Sequence, residues 1–163
     1  MWFQKWLLYG CIGLLIEVWF TSISSLLRRH WKLTGVTYLW MILPYGGVAI
    51  LSELVWDTLD PALLGMGWGR YLVIALILVP LWYGAEALSA WTIKTSTHWL
   101  QKWFGGTGGG VIPWEYDKSK WSPAGMINLK YFPFWLLLAC VFGPLSGILQ
   151  RVLHFLSTQT VGK

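Results

Sequence analysis

Four long apolar stretches, residues 6–27, 37–56, 71–91 and 131–156, decide what this chain can fold into. Each is close to the roughly 20 residues that a helix needs to cross a hydrocarbon core of about 30 Å. Together they use about half of the 163 residues, which leaves ends and loops but no room for an ATP-binding or separate catalytic domain. Apolar residues make up 56% of the chain and charged residues 12%, a balance unlike that of a water-soluble domain. No stretch has the alternation of a barrel strand, and unsatisfied backbone groups are too costly in lipid. The expected fold is all-α: a polytopic membrane protein built as a bundle of four transmembrane helices.

The first stretch follows a single basic residue, Lys5, and so has the outline of a secretion signal. Glu17 in its middle and the lack of a small-residue cleavage site after it argue for a retained span. It stops at Arg28, Arg29, His30, Trp31 and Lys32. The second stretch is interrupted early by Pro44-Tyr45-Gly46-Gly47 and ends in an acidic turn with Asp57, Asp60 and Pro61. The third runs on without a helix breaker into residues 92–104. There Trp99, Leu100, Trp103 and Phe104 share one side, away from Lys94, His98, Gln101 and Lys102, which predicts an amphipathic helix lying in the interface. A polar loop, 105–130, opens with the glycine-rich run 105–110 between helices three and four. Val111-Ile112-Pro113 follows that run instead of Gly-Lys-Ser/Thr, so it reads as a linker and not as a phosphate loop.

The net charge is +5, but the twelve basic residues are scattered around apolar runs and form no stripe for nucleic acid. Eight of them (Arg28, Arg29, Lys32, Lys94, Lys102, Lys118, Lys120, Lys130) fall in the loops after the first and third stretches. The positive-inside bias then places both termini on the non-cytoplasmic side of a multi-pass protein. Of the fourteen tryptophans, Trp6, Trp31, Trp40, Trp56, Trp68, Trp91 and Trp135 sit at span ends, as an interfacial aromatic belt requires. Trp19 and Trp82 lie deeper and are candidates for lining a cavity. Cys11 and Cys140 read as small buried hydrophobes. His30, His98 and His154 show no ligand spacing, and neither a metal site nor a cofactor is expected.

Seven acidic residues occur in the chain, and three of them, Glu17, Glu53 and Glu86, fall inside apolar stretches. On an insertion scale Glu17 and Glu86 together cost about 5–7 kcal/mol if Glu is as unfavourable as Asp. No Lys or Arg lies within a stretch to offset them. Each carboxylate shares a helical face with small or polar residues: Gly10, Gly13, Thr21 and Ser24 with Glu17; Gly46 and Ala49 with Glu53; Tyr83 and Ala90 with Glu86. Ala139, Gly143 and Gly147 form a similar stripe on the fourth stretch. Small residues let helices approach closely, so the spans should pack through these stripes with the three glutamates facing inward. The candidate polar cavity is therefore Glu17, Glu53, Glu86, Thr21 and Tyr83. A bland alternative is that the carboxylates accept hydrogen bonds from Thr21, Tyr83 and indole N–H groups and fix helix register.

Several separated segments, Tyr9-Gly10-Cys11-Ile12-Gly13, Glu17-Val18-Trp19-Phe20-Thr21-Ser22, Gly35-Val36-Thr37-Tyr38-Leu39-Trp40, Pro44-Tyr45-Gly46, Glu53, Glu86 and Pro113-Trp114-Glu115-Tyr116, resemble the CmpB-like membrane family. That family is labelled ABC-transporter type IV and includes the transmembrane protein 229 relatives, to which residues 9–53 are particularly similar. The resemblance covers residues 6–150 and joins its motifs in order. It implies a four-helix membrane protein with functional weight on Glu17, Glu53 and Glu86. The family's usual Trp-Asp-Tyr-Ser motif reads Trp114-Glu115-Tyr116-Asp117 here, with the acid one methylene longer and the hydroxyl replaced by a second acid. These four residues form a candidate loop site.

Three functions follow as expectations. The first is a small carrier or permease subunit that moves a proton, cation or small solute along intramembrane glutamates. Such a protein would sit in a lipid bilayer as a homo-oligomer or beside a larger membrane or ATPase partner. The second is a non-catalytic assembly or regulatory subunit. The third is a membrane-embedded enzyme acting on a lipid headgroup, with Glu86, Glu115 and Asp117 as acids and Lys118 and Lys120 meeting a phosphate.

Overall fold

A computed structural model of the chain describes residues 2–27, 37, 39–107, 116 and 119–161. The described residues are helical apart from turns and loops. Four α-helices follow one another: α1 (Trp2–Leu27), α2 (Ile42–Ala62), α3 (Gly69–Phe104) and α4 (Phe132–Val161), with short 3-10 turns at Leu39–Met41, Leu64–Met66, Pro123–Gly125 and Leu129–Tyr131. No strand is present among the described residues, where the one β-type pairing is an isolated bridge between Ser119 and Ser122.

Three segments, Trp2–Ile23, Gly69–Phe104 and Leu129–Phe155, are long and apolar enough to cross a membrane. Their outward side chains are those of lipid-facing helices: Leu7, Leu15, Trp19 and Ile23 on α1, Leu72, Leu76, Ile77 and Leu88 on α3, and Leu137, Val141, Leu145 and Ile148 on α4 are all exposed. So large an apolar surface is unsuited to water. The chain thus has the helices of a membrane protein. The second stretch does form an α-helix, of 21 residues. Glu53 and Asp57 lower its hydropathy below that of the other three.

Several boundaries differ from the sequence expectation for physical reasons. Pro44-Tyr45-Gly46-Gly47 does not interrupt the second helix; Pro44 lies in its first turn, where a missing N–H and a fixed φ are tolerated. The interfacial helix expected over 92–104 is not a separate element either. With no breaker after Trp91, α3 continues for 36 residues, about 54 Å at 1.5 Å per residue. It ends at Phe104 because Gly105 takes a left-handed conformation (φ 74°) and donates its N–H to the Gln101 carbonyl at 2.9 Å. Of the glycine-rich run, residues 108–110 lie outside the described residues, as does the basic cluster 28–32.

The chain divides into two compact units, Met1–Leu51 with Trp82–Asn128, and Ser52–Leu81 with Leu129–Lys163. In the first unit α1 and the start of α2 meet through glycines. A Cβ on Gly10 would come within 2.6 Å of the Ile42 side chain and carbonyl oxygen, and one on Gly13 within 2.6 Å of the Tyr45 side chain. Gly46 faces the Trp6 carbonyl oxygen and indole just as tightly. The small-residue stripes expected from the sequence therefore do bring backbones together here. Tyr9, Met41, Tyr83 and Ala90 form the buried apolar set of this unit.

The second unit is centred on Ile74, Ala75, Leu78, Val79 and Ala139, with Trp56 inserted against Gly143. Trp56 is thus a core residue, contrary to its expected place in an interfacial belt. Its ring stacks on Tyr71 at 5.6 Å, and the Arg70 guanidinium lies 5.0 Å from the Tyr71 centroid on the way to a 2.6 Å ion pair with Asp60. The acidic turn is thereby tied to the first turn of α3 within the same unit. Trp19 is 71% exposed and does not line a cavity, and Cys11 is exposed where burial was expected. Both are exposed on the outer surface of α1.

Candidate functional site

Two of the three glutamates meet in the first unit. Glu17, half-buried in the middle of α1, accepts a hydrogen bond from Thr37 Oγ1 at 2.5 Å and a second from the Tyr45 phenol on α2. The absence of a side chain at Gly13, one turn earlier, gives the Tyr45 ring its seat and lets its hydroxyl reach the carboxylate. Glu86 on α3, also half-buried, accepts from Tyr116 Oη at 3.1 Å. Tyr45 stands within electrostatic reach of Glu86 and Tyr116 as well as Glu17, and the two carboxylates sense each other directly. α1, α2, α3 and the loop after α3 thus contribute two hydrogen-bonded groups, Glu17 with Thr37 and Tyr45 and Glu86 with Tyr116, which are electrostatically coupled into one oxygen-rich cluster.

The electrostatics of this cluster are one-sided. Two half-buried carboxyl groups lie within electrostatic range of each other, in surroundings where charges interact more strongly than in water. Their partners among the described residues are hydroxyl groups, which donate a proton but carry no positive charge. Such a set suits a proton or a hard cation, for which oxygen atoms are the preferred ligands. Among the described residues no group of three or more His, Cys, Asp or Glu side chains is arranged to hold a metal ion.

Glu53 lies in the second unit, 3% exposed, and accepts a hydrogen bond from Gln150 Nε2 on α4. Ser52 beside it and Ser146, one turn before Gln150, are also buried, so α2 and α4 share a polar seam. Equal weighting of the three glutamates by burial alone conceals this division. Thr21 and Tyr83 also make hydrogen bonds of their own. Thr21 Oγ1 donates to the carbonyls of Glu17 (2.9 Å) and Val18 (3.1 Å) on its own helix. Tyr83, buried one turn before Glu86, donates to the Asn128 carbonyl at 3.2 Å.

Of the loop motif, Tyr116 reaches the cluster, while Trp114, Glu115 and Asp117 lie outside the described residues. Three participants escape a reading of the sequence: Thr37, Tyr45 and Gln150. Gln150 does carry a signal, since an amide inside an apolar stretch needs a polar partner. Tyr45 is hidden by its proline and glycine neighbours, which resemble a break.

The fold and the apolar faces of its helices define a helical membrane protein. No family model matches the chain, and no solved structure matches it. The functional reading therefore rests on the geometry of the cluster.

Proposed function

We propose that this is a multi-pass membrane protein in which all four helices cross the bilayer and which acts as a small carrier or permease subunit. The observation that carries this reading is that Glu17 and Glu86, on two different helices, each accept a hydrogen bond from a hydroxyl group and lie within electrostatic range of each other. A carboxylate at a span centre costs about 2.5–3.5 kcal/mol to insert, and placing a second one beside it adds repulsion. A purely structural pair of acids gains nothing from that proximity. A proton or a cation relieves it, and its arrival and departure would be the transport event. The resemblance to the CmpB-like family, with its weight on these glutamates, points the same way.

α2 crosses despite its acids because Glu53 is held against Gln150, and Asp60 is paired with Arg70 at the following turn. The distribution of basic residues supports an orientation with both termini non-cytoplasmic. With no nucleotide-binding motif in the sequence, ATP energy would enter through a separate subunit, and a second copy of the chain would complete the wall of a path.

One observation favours the second reading, a non-catalytic assembly subunit: each of the three carboxylates already has a hydrogen-bond donor. The same experiment separates the two. Proteoliposomes loaded with pH- and cation-sensitive dyes should pass protons, Na⁺ or K⁺. Glu17→Gln and Glu86→Gln should each cut that flux tenfold or more while leaving protein inserted and monodisperse. Flux unchanged in both variants would remove the carrier reading and leave the assembly subunit.

A further inference from the structure

α3 is longer than a membrane crossing requires. Its apolar stretch ends near Trp91, and residues 92–104 carry the same helix about 20 Å further at 1.5 Å per residue. The headgroup layer outside the hydrocarbon is about 5–8 Å deep on each side. Held upright, the extension would therefore lift Trp99, Trp103 and Phe104 into water. These side chains are 54%, 67% and 79% exposed, and Leu100 on the same side is exposed as well. The rings of Trp99 and Trp103 lie 6.0 Å apart and make one aromatic surface. An apolar face of this size at the end of a helix needs a cover.

The other side of the segment identifies that cover. Lys94, His98 and Lys102 lie there, and no acidic residue occurs in the sequence between Glu86 and Glu115. Lys102 also suits the carbonyl end of the helix, but Lys94 stands nearly three turns earlier, outside the range of that effect. The hydroxyls of Thr95 and Thr97 donate to the Trp91 and Ile93 carbonyls at 2.9 and 2.7 Å, so they are turned back onto the helix and the basic groups dominate what it presents. A second copy of the segment would set basic residues against basic residues. Tryptophan and phenylalanine opposite lysine is the composition with which a helix rests on an acidic bilayer surface. We propose that residues 92–104 are a docking surface for acidic phospholipid headgroups. α3 leans, so that Trp99, Trp103 and Phe104 settle at the boundary of headgroups and acyl chains while Lys94 and Lys102 meet the surrounding phosphates. At a tilt of about 35–40°, the upper end of the usual range, the whole helix of about 54 Å fits within a bilayer of about 40–45 Å with its headgroups. This surface is independent of what the protein carries.

The experiment uses the full chain, with Cys11 and Cys140 replaced by serine, in nanodiscs of phosphatidylcholine alone or mixed with phosphatidylglycerol. A nitrobenzoxadiazole probe is attached at Leu100→Cys, on the apolar side of the segment, or at Leu76→Cys, an exposed position within the apolar stretch that serves as control. Iodide in the water and nitroxide-labelled lipids in the disc are used in turn to quench it. With phosphatidylglycerol present, position 100 should be quenched by nitroxides placed high on the acyl chains, and its quenching by iodide should be about threefold or more weaker than in phosphatidylcholine alone. Lys94→Gln combined with Lys102→Gln should remove that difference and leave position 76 unchanged. Equal iodide quenching of position 100 in the two kinds of disc would overturn the proposal. Shielding from iodide without quenching by nitroxide lipids would overturn it too, because a protein surface would then be the cover.

Discussion

Trp56→Ala is expected to lower the stability of the folded chain by about 3–5 kcal/mol, the range for truncating a large buried aromatic. The indole is 7% exposed, fills the space left by Gly143 and stacks on Tyr71 at 5.6 Å, so its removal empties a cavity and strips a ring of its partner. Gly143→Ala is destabilising for the converse reason: its Cβ would run into the five- and six-membered rings of the same indole. The two changes should be strongly non-additive, because the methyl group harmful beside Trp56 partly fills the hole left when Trp56 is gone. Unfolding in detergent, followed by near-ultraviolet dichroism for the four combinations, measures this directly. Additive losses would mean that Trp56 does not occupy the Gly143 site.

The adjacent glycines of α2 should respond to alanine with opposite signs. A Cβ at Gly46 would meet the Trp6 carbonyl oxygen and come within 2.7 Å of its ring, and a backbone atom yields only if α1 moves as a whole. Gly46→Ala should therefore cost about 1–3 kcal/mol as overpacking, at the upper end because the obstacle is main chain. A Cβ at Gly47 would meet nothing within 4 Å. Gly47→Ala should be neutral or stabilising by up to about 1 kcal/mol through helix propensity. Displacing α1 also draws Glu17 away from Tyr45, so Gly46→Ala should disturb the carboxylate cluster as well as the fold. Equal melting temperatures for the two variants would refute the close α1–α2 contact.

Much of the architecture is legible in the pattern of residues. Apolar stretches locate the helices, and the steps from Gly10 to Gly13 to Glu17 put one glutamate on the face of α1 that meets α2. What spacing along a helix cannot supply is the rotation of one helix against another. Glu17, Glu53 and Glu86 therefore look equivalent in sequence, although Glu53 is joined to Gln150, Glu17 to Thr37 and Glu86 to Tyr116. The same ignorance of rotation sends Trp19, on the outer side of α1, to the interior and Trp56, in the core, to the interface. Thr37 and Tyr45 go unnoticed because their role depends on a contact between helices. The seat of Tyr45 is an absent side chain at Gly13, which a sequence displays but does not assign. The continuity of α3 is visible as the absence of a breaker; the amphipathic pattern of residues 92–104 suggests a second helix but belongs to the end of the first.

In the proposed carrier, Glu17 and Glu86 act as one site that takes up and releases a proton or a cation. Infrared difference spectra of the purified protein, recorded on exchange between neutral and acidic buffer and between buffers with and without Na⁺ or K⁺, observe those carboxyl groups themselves. The expected result is a carboxyl band change that is diminished in Glu17→Gln and in Glu86→Gln, with the band of each glutamate displaced when the other is replaced. Difference spectra of the double variant that match those of the unsubstituted chain would contradict it.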